Sequence, residues 1–271
     1  MKKNDIPDLD SAGRVAADTR RHMLDNDGEL VFWGEAIAVA SAAVMASEAK
    51  GIQRPAPPAA APAFTLPLPS KSAALASLHS VEIGDCHRCP LGDTRIKLVF
   101  GVGNPDARVM FVGEGPGFDE DRQGEPFVGK AGQLLDKIMA SIGLNRSNAY
   151  IANVVKCHPM KDPANRDARG NDRPPVPEEM DECLPFLKKQ IAIIRPEIIV
   201  TLGATATKAL LGSVGGITSA RGRIFSLRLD DSTEIPVLPT FHPAALLRDE
   251  LLKKPVWEDM KQLRDRLKIP G

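Results

Sequence analysis

The sequence predicts an α/β fold: a central, four-stranded, mostly parallel sheet flanked by helices, with an N-terminal helical extension and a Pro/Ala-rich linker ahead of it. Three observations predict this. Short apolar runs end at glycine or a polar residue, the stretches between them repeat apolar residues at helical spacing, and one proline-dense run separates zones of different composition. Residues 1–50 are rich in alanine and acids and place Leu30, Val31, Trp33, Ile37 and Val44 at roughly helical spacing. Residues 51–74 carry Pro55, Pro57, Pro58 and Pro62, too dense for a helix and suited to extended polyproline backbone. Residues 75–271 read as one domain of ordinary size. In it, Val109 to Gly113 is a buried strand. Ala131 to Ile142 puts Leu134, Leu135, Ile138 and Ile142 on one helical face and stops at Gly143. Tyr150 to Val155 is a second strand. Pro177 opens a helix whose first turn holds Glu178 and Glu179, suited to its positive end. Ile198 to Leu202 is a third strand, followed by Gly203 and an alanine-rich helix, and Ile235 to Phe241 is the fourth. Such sheets bind ligands beyond the carboxyl ends of their strands, where Glu114, Asn153, Gly203 and His242 fall.

Composition narrows the function. Lys+Arg and Asp+Glu both number 35, so a globally basic nucleic-acid binder is excluded and a local basic groove is not. Four cysteines are too few for a disulfide scaffold of this length and suit a metal site. The best apolar stretch, Ala36 to Ser47, is short for a membrane span and flanked by Glu35 and Glu48. Asp5, Asp8 and Asp10 close behind Lys2 and Lys3 do not make a signal peptide. A reduced, cytoplasmic protein, away from membranes, is the expectation.

Five constellations carry chemistry. Gly113-Glu-Gly-Pro-Gly117 precedes Phe118-Asp-Glu-Asp121. Pro116 interrupts a run of amide donors and the acids would repel a pyrophosphate, so the loop offers carboxylates instead, or is a solvated acidic turn. Phe127, between Pro126 and Gly129, is either core or a platform for a planar base. Asn153 sits in an apolar strand, where an unpartnered amide is costly; it either bonds the backbone or reads the edge of a ligand. His242 ends a strand before Pro243. The CxxC pair Cys86 and Cys89, with Cys157 and Cys183, suits zinc or an iron–sulfur cluster. A redox CxxC would leave two cysteines unexplained.

Together these motifs resemble the family 4 uracil-DNA glycosylases. The resemblance runs from about Leu78 to Leu267. It rests on the Gly-Glu-Gly-Pro-Gly loop, Glu120-Asp121, Pro126-Phe-Val-Gly-Lys-Ala-Gly132, Asn153-Val-Val-Lys-Cys157, and His242-Pro243 with Leu246-Leu-Arg248. It implies a four-stranded parallel sheet between helices and a [4Fe–4S] cluster held by Cys86, Cys89, Cys157 and Cys183. It also implies an enzyme that flips uracil out of DNA and hydrolyses its N-glycosidic bond. Phe127 would stack on the base and Asn153 would bond its Watson–Crick edge. Glu114, Gly115 and Glu120 would line the pocket around the attacked carbon and the water, and His242 would face the leaving base. Leu246 or Leu247 would wedge into the gap and Arg248 hold a phosphate, or the segment is simply an amphipathic helix start. The chemistry is coherent: the sugar becomes oxocarbenium-like, which a carboxylate stabilises, and the base leaves as an anion, which a histidine hydrogen bond stabilises.

Departures qualify the likeness. Ala244 stands where the family often has serine, implying a modest effect on DNA binding. The stretch between Cys157 and Cys183 is long and includes the basic segment Asn165 to Arg173, a DNA-touching loop or a disordered insertion. The segment Asp121 to Pro126 has no room for the basic, histidine-bearing loop of a covalently trapping relative, so turnover by a monofunctional enzyme is expected. Lys156, Lys161, Arg166, Arg221, Arg223, Arg248, Lys253 and Lys254 are expected to share one DNA-facing surface. A monomer acting on uracil-containing DNA is expected, with residues 1–74 either a tethered helix for a protein partner or a dispensable appendage. The rival readings are a non-catalytic iron–sulfur nucleic-acid-binding module and an electron-transfer or thiol-redox enzyme; neither needs Glu114, Phe127, Asn153 and His242 together.

Overall fold

A computed structural model describes residues 69–269; the expectations for residues 1–50, and for most of the linker, lie outside them. The described chain opens with helix α1 (Lys71–Ser77), capped by the Ser70 hydroxyl and continuing as a π-helical turn, Leu78–Ile83. Lys71 to Ala74 of the expected linker are thus helical. A short helix α2 (Leu91–Thr94) follows the CxxC pair.

The sheet has six strands: β1 (Val102–Gly103), β2 (Val109–Gly113), β3 (Ala149–Asn153), β4 (Ile198–Leu202), β5 (Phe225–Arg228) and β6 (Glu234–Thr240), in the order β1-β3-β2-β4-β6-β5. The four expected strands are its centre, β3-β2-β4-β6, all parallel. The correction is at the edges, where β1 pairs antiparallel with β3 and β5 with β6, making the sheet mixed. β1 is two residues long and β5 is largely exposed, so neither carries the apolar run that marks a buried strand.

The helices are α3 (Phe118–Gln123), α4 (Lys130–Ala140), α5 (Pro177–Ile194), α6 (Ala204–Leu211), α7 (Ile217–Ala220), α8 (Pro243–Arg248) and α9 (Lys253–Leu267). Alternation along each strand divides the core in two. Met110, Val112, Tyr150, Ala152 and Ile199 pack with Phe186, Leu187 and Ile191 of α5 and Leu210 of α6. Val109, Phe111, Ile151 and Val200 pack with Leu135 and Met139 of α4 and Met260 and Leu263 of α9. With both faces covered, β2, β3 and β4 are buried throughout. In register, Gly113 at the end of β2 stands opposite Asn153 at the end of β3, so the first acidic loop and the asparagine open on one side.

Candidate active site and cysteine site

A cavity of about 540 Å³ lies beyond the carboxyl ends of β2, β3 and β6. Glu114, Gly115, Glu120, Phe127, Asn153 and His242, each singled out from sequence, line it together. Gly203 does not line it, although its position beyond β4 suggested a ligand; its φ of +92° and the His242 Cβ 3.1 Å from where its own Cβ would stand make it a turn residue packed behind His242.

Phe127 is buried and has φ +56°, a left-handed backbone that costs a bulky residue energy. Its surroundings hold it there. Arg146 donates to the carbonyls of Pro126 (3.0 Å) and Phe127 and pairs with Asp136 through Nε (2.9 Å). Gly132 at the start of α4 lets the helix meet the Phe127 carbonyl, which a Cβ would approach to 1.7 Å. Across the cavity, the His242 ring centroid is 5.6 Å from that of Phe127, with the planes inclined by 33°.

Asn153 is 1% exposed, and its side-chain Oδ1 has no hydrogen-bond partner. A Cβ on Gly113 would stand 2.5 Å from both that oxygen and the Phe127 Cζ, so the glycine leaves room for the pair. His242 accepts the Ala244 N–H at Nδ1 (3.1 Å) while capping α8. That bond fixes the neutral tautomer with its proton on Nε2. Burial, helped by the Arg248 charge, pushes His242 down to about 4, so the ring is neutral near pH 7.

The two glutamates differ. Glu120 accepts three backbone N–H groups: Gly117 at 3.2 Å on Oε2, and Val128 and Gly129 at 3.0 Å on Oε1. It clips the acidic loop to the segment carrying Phe127. Glu114 follows β2 directly and makes no such clip among the described residues; Val155 N–H binds its main-chain carbonyl (3.1 Å).

Sequence reasoning does not single out Asp172, which also lines the cavity. His158 Nε2 lies 2.7 Å from Asp172 Oδ1, and its Nδ1 lies 3.8 Å from Asp121 Oδ2, an ion-pair contact rather than a hydrogen bond. Burial works to lower His158, but the two carboxylates outweigh it and push it up to about 9. Asp121 also accepts the Ile96 N–H (2.9 Å). The segment Lys161 to Arg173 is thereby anchored: Lys161 N–H bonds the Asn171 carbonyl (2.8 Å), and Arg122 and Arg169 stack on Phe118 with centroid distances of 3.6 and 4.4 Å. Only the basic composition of this segment hints at such a role.

Two expected members of the basic surface are elsewhere. Lys156 is fully buried, and Arg221 is bound to Asp259 inside the fold. Lys161, Arg166, Arg223, Arg248, Lys253 and Lys254 are exposed. Leu246 is buried at 2% exposure while Leu247 is exposed at 51%, which separates the two wedge candidates.

Cys86, Cys89, Cys157 and Cys183 line a second, small cavity with Lys156, Leu98 and Phe186. Among the described residues, no three potential ligands gather as closely as a single ion requires. All four are free thiols, and burial pushes Cys157 up to about 12 and Cys183 to about 11. Arg95 Nη1 stands 3.7 Å from Cys157 Sγ and donates to the Cys86 carbonyl (2.6 Å). Four thiols from three chain segments, in apolar walls with cations beside them, fit a group that arrives with positive charge and takes four thiolates.

The family profile described as the Uracil DNA glycosylase superfamily matches residues 100–261. Among curated proteins, the chain is similar to the type-4 uracil-DNA glycosylase of Sulfurisphaera tokodaii, 43% identical over 68% of this chain and 81% of that protein. It is similar also to that of Thermotoga maritima, 42% identical over 73% and 97%. To that of Archaeoglobus fulgidus it is 40% identical over 67% and 88%. Sharing this profile over residues 100–261, and alike to these type-4 proteins over two thirds of its length or more, the chain belongs to the uracil DNA glycosylase superfamily.

Proposed function

We propose that the protein is a monofunctional uracil-DNA glycosylase that hydrolyses the bond between uracil and deoxyribose, leaving an abasic site. The observation that carries the reading is the buried, partnerless Oδ1 of Asn153, set beside Phe127 in a cavity walled by His242. An unmet acceptor buried this fully is expensive unless a ligand meets it. The N3–H of uracil would, while the Asn153 amide donates to O4.

The base must first leave the stack, at a cost of a few kcal/mol. Stacking on Phe127 returns about 1–3 kcal/mol of that, and the exposed Leu247 is the wedge that suits the vacated space. As the bond lengthens, negative charge gathers on the uracil O2. His242 meets it as a neutral donor through Nε2–H. Glu114 faces the cation growing on the sugar and orients the water that attacks its C1′. Water supplies hydroxyl to the sugar, and its proton ends on the departing base or solvent. Glu120, its oxygens taken by three amides, serves by holding the loops rather than by touching the sugar, and Gly115 keeps the wall beside Glu114 free of a side chain.

Cys86, Cys89, Cys157 and Cys183 would hold a [4Fe–4S] cluster, supplying a structural and charge-bearing centre outside the hydrolytic step. Thiols standing around a cavity, rather than converging on a point, support a polynuclear group. The protein is read as a cytoplasmic monomer; among the described residues no helix is long and apolar enough to cross a membrane.

The test is incubation of anaerobically purified protein with a labelled oligonucleotide bearing one uracil, followed by alkaline cleavage. A single cut at the uracil is expected. DNA binding without a cut, and no change on Glu114→Gln, would favour a non-catalytic binding module instead.

A further inference from the structure

Lys156 is wholly excluded from solvent, yet among the described residues no carboxylate lies within ion-pair distance of it. Its Nζ donates to the Asn153 main-chain carbonyl (2.8 Å) and to Gln190 Oε1 (2.6 Å), both neutral. Gln190 is fixed in turn by its Nε2 donating to the Phe100 carbonyl (3.0 Å). A positive charge on a side chain held only by neutral acceptors is stabilised by negative charge close by. Lys156 lines the cysteine cavity, where Glu182 is exposed at the rim and the remaining candidates for negative charge are the four sulfurs, Cys157 buried and the other three half-buried. One side chain therefore spans from the cysteine site to the strand end that carries the base-reading amide.

We propose that Lys156 is a positioning residue with two linked roles: it is the internal counter-cation of the thiolate cluster, and its hydrogen bond to the Asn153 carbonyl sets the amide that recognises uracil. This rests on the cluster assignment above. The two roles separate by chemistry. Lys156→Gln removes the charge but keeps a donor, Lys156→Met removes both, and Lys156→Arg keeps both.

The experiment uses the full-length, cluster-loaded protein under anaerobic conditions. It reads the midpoint potential of the cluster by voltammetry and single-turnover uracil excision. Loss of a nearby positive charge disfavours the more negative, reduced cluster. Lys156→Gln and Lys156→Met should therefore shift the potential negative, with Lys156→Arg staying near wild type. In excision, Lys156→Met should raise the half-saturating DNA concentration severalfold, and Lys156→Gln should raise it less. Failure of both Lys156→Gln and Lys156→Met to retain a cluster that Lys156→Arg retains supports the counter-cation role. Unshifted potentials in both neutral variants overturn the proposal. Wild-type protein lacking the visible absorbance of a cluster overturns the cluster assignment and this proposal together.

Discussion

Gly113 has no side chain because Asn153 and Phe127 both occupy the space beside it. Gly113→Ala should weaken uracil binding at least about tenfold, matching the loss of one stacking or edge contact. Crowding should cost about 1–3 kcal/mol of stability. Single-turnover titration and thermal unfolding check the two. His242, pushed down to about 4, should stay neutral from about pH 5 to about pH 8, so the rate profile should show no inflection from it there. NMR of the ring nitrogens should find the proton on Nε2. The sign for stability also follows: the unfolded chain takes up this proton at higher pH than the folded one, so His242 costs stability as pH falls from 6.5 through about 4. Removing the ring by His242→Ala should slow excision about 10²–10³-fold, as for other lost oxyanion donors. At this scale Glu114, Phe127, Asn153 and His242 were legible because each is a polar or aromatic exception beside an apolar strand or a glycine. The meeting of Asp121 with His158 and Asp172 was not, because it depends on how the segment after Cys157 folds back.

Helix α3 shows what an element adds. Its Glu120 was readable as an acid near the site, but not as a clip, since the amides of Val128 and Gly129 reach it only once the following loop has turned. Glu120→Ala should cost about 2–4 kcal/mol, given charged acceptors serving three amides. The excision rate should fall with it, because both walls of the cavity loosen. Denaturant unfolding and single-turnover rates measure each; a variant with full activity and lowered stability would confine Glu120 to the scaffold. Arg146→Ala should act similarly by freeing the left-handed turn at Phe127. The central strands were legible as short apolar runs, α4 from its helical spacing, and α5 from Pro177 and the acids of its first turn. The edge strands β1 and β5 were not, because their partners rather than their own sequences place them in the sheet.

For the whole molecule, zero net charge makes the distribution of cations decisive. Six of the eight basic residues expected to face DNA are exposed, while Lys156 and Arg221 serve the interior. DNA affinity should fall as salt rises, and Arg248→Ala, at the cavity rim, should reduce the slope of log affinity against log salt by about one contact. Fluorescence anisotropy across a salt series tests this. Charge balance in the sequence could not reveal which cations turn inward, since that follows from packing and not from count. The family of the chain was legible from motif order, while the end of the linker was not, since Lys71 to Ala74, assigned to it from composition, are helical.

The cysteine cavity draws its walls from the segment before the sheet, the loop after β3 and helix α5. If the proposed cluster is their shared ligand, a newly made chain would close this corner only after α5 has left the ribosome and iron and sulfide have been delivered. Cells starved of iron would then hold the polypeptide without its finished form. The supply of a nutrient metal would then limit how much finished protein a cell holds.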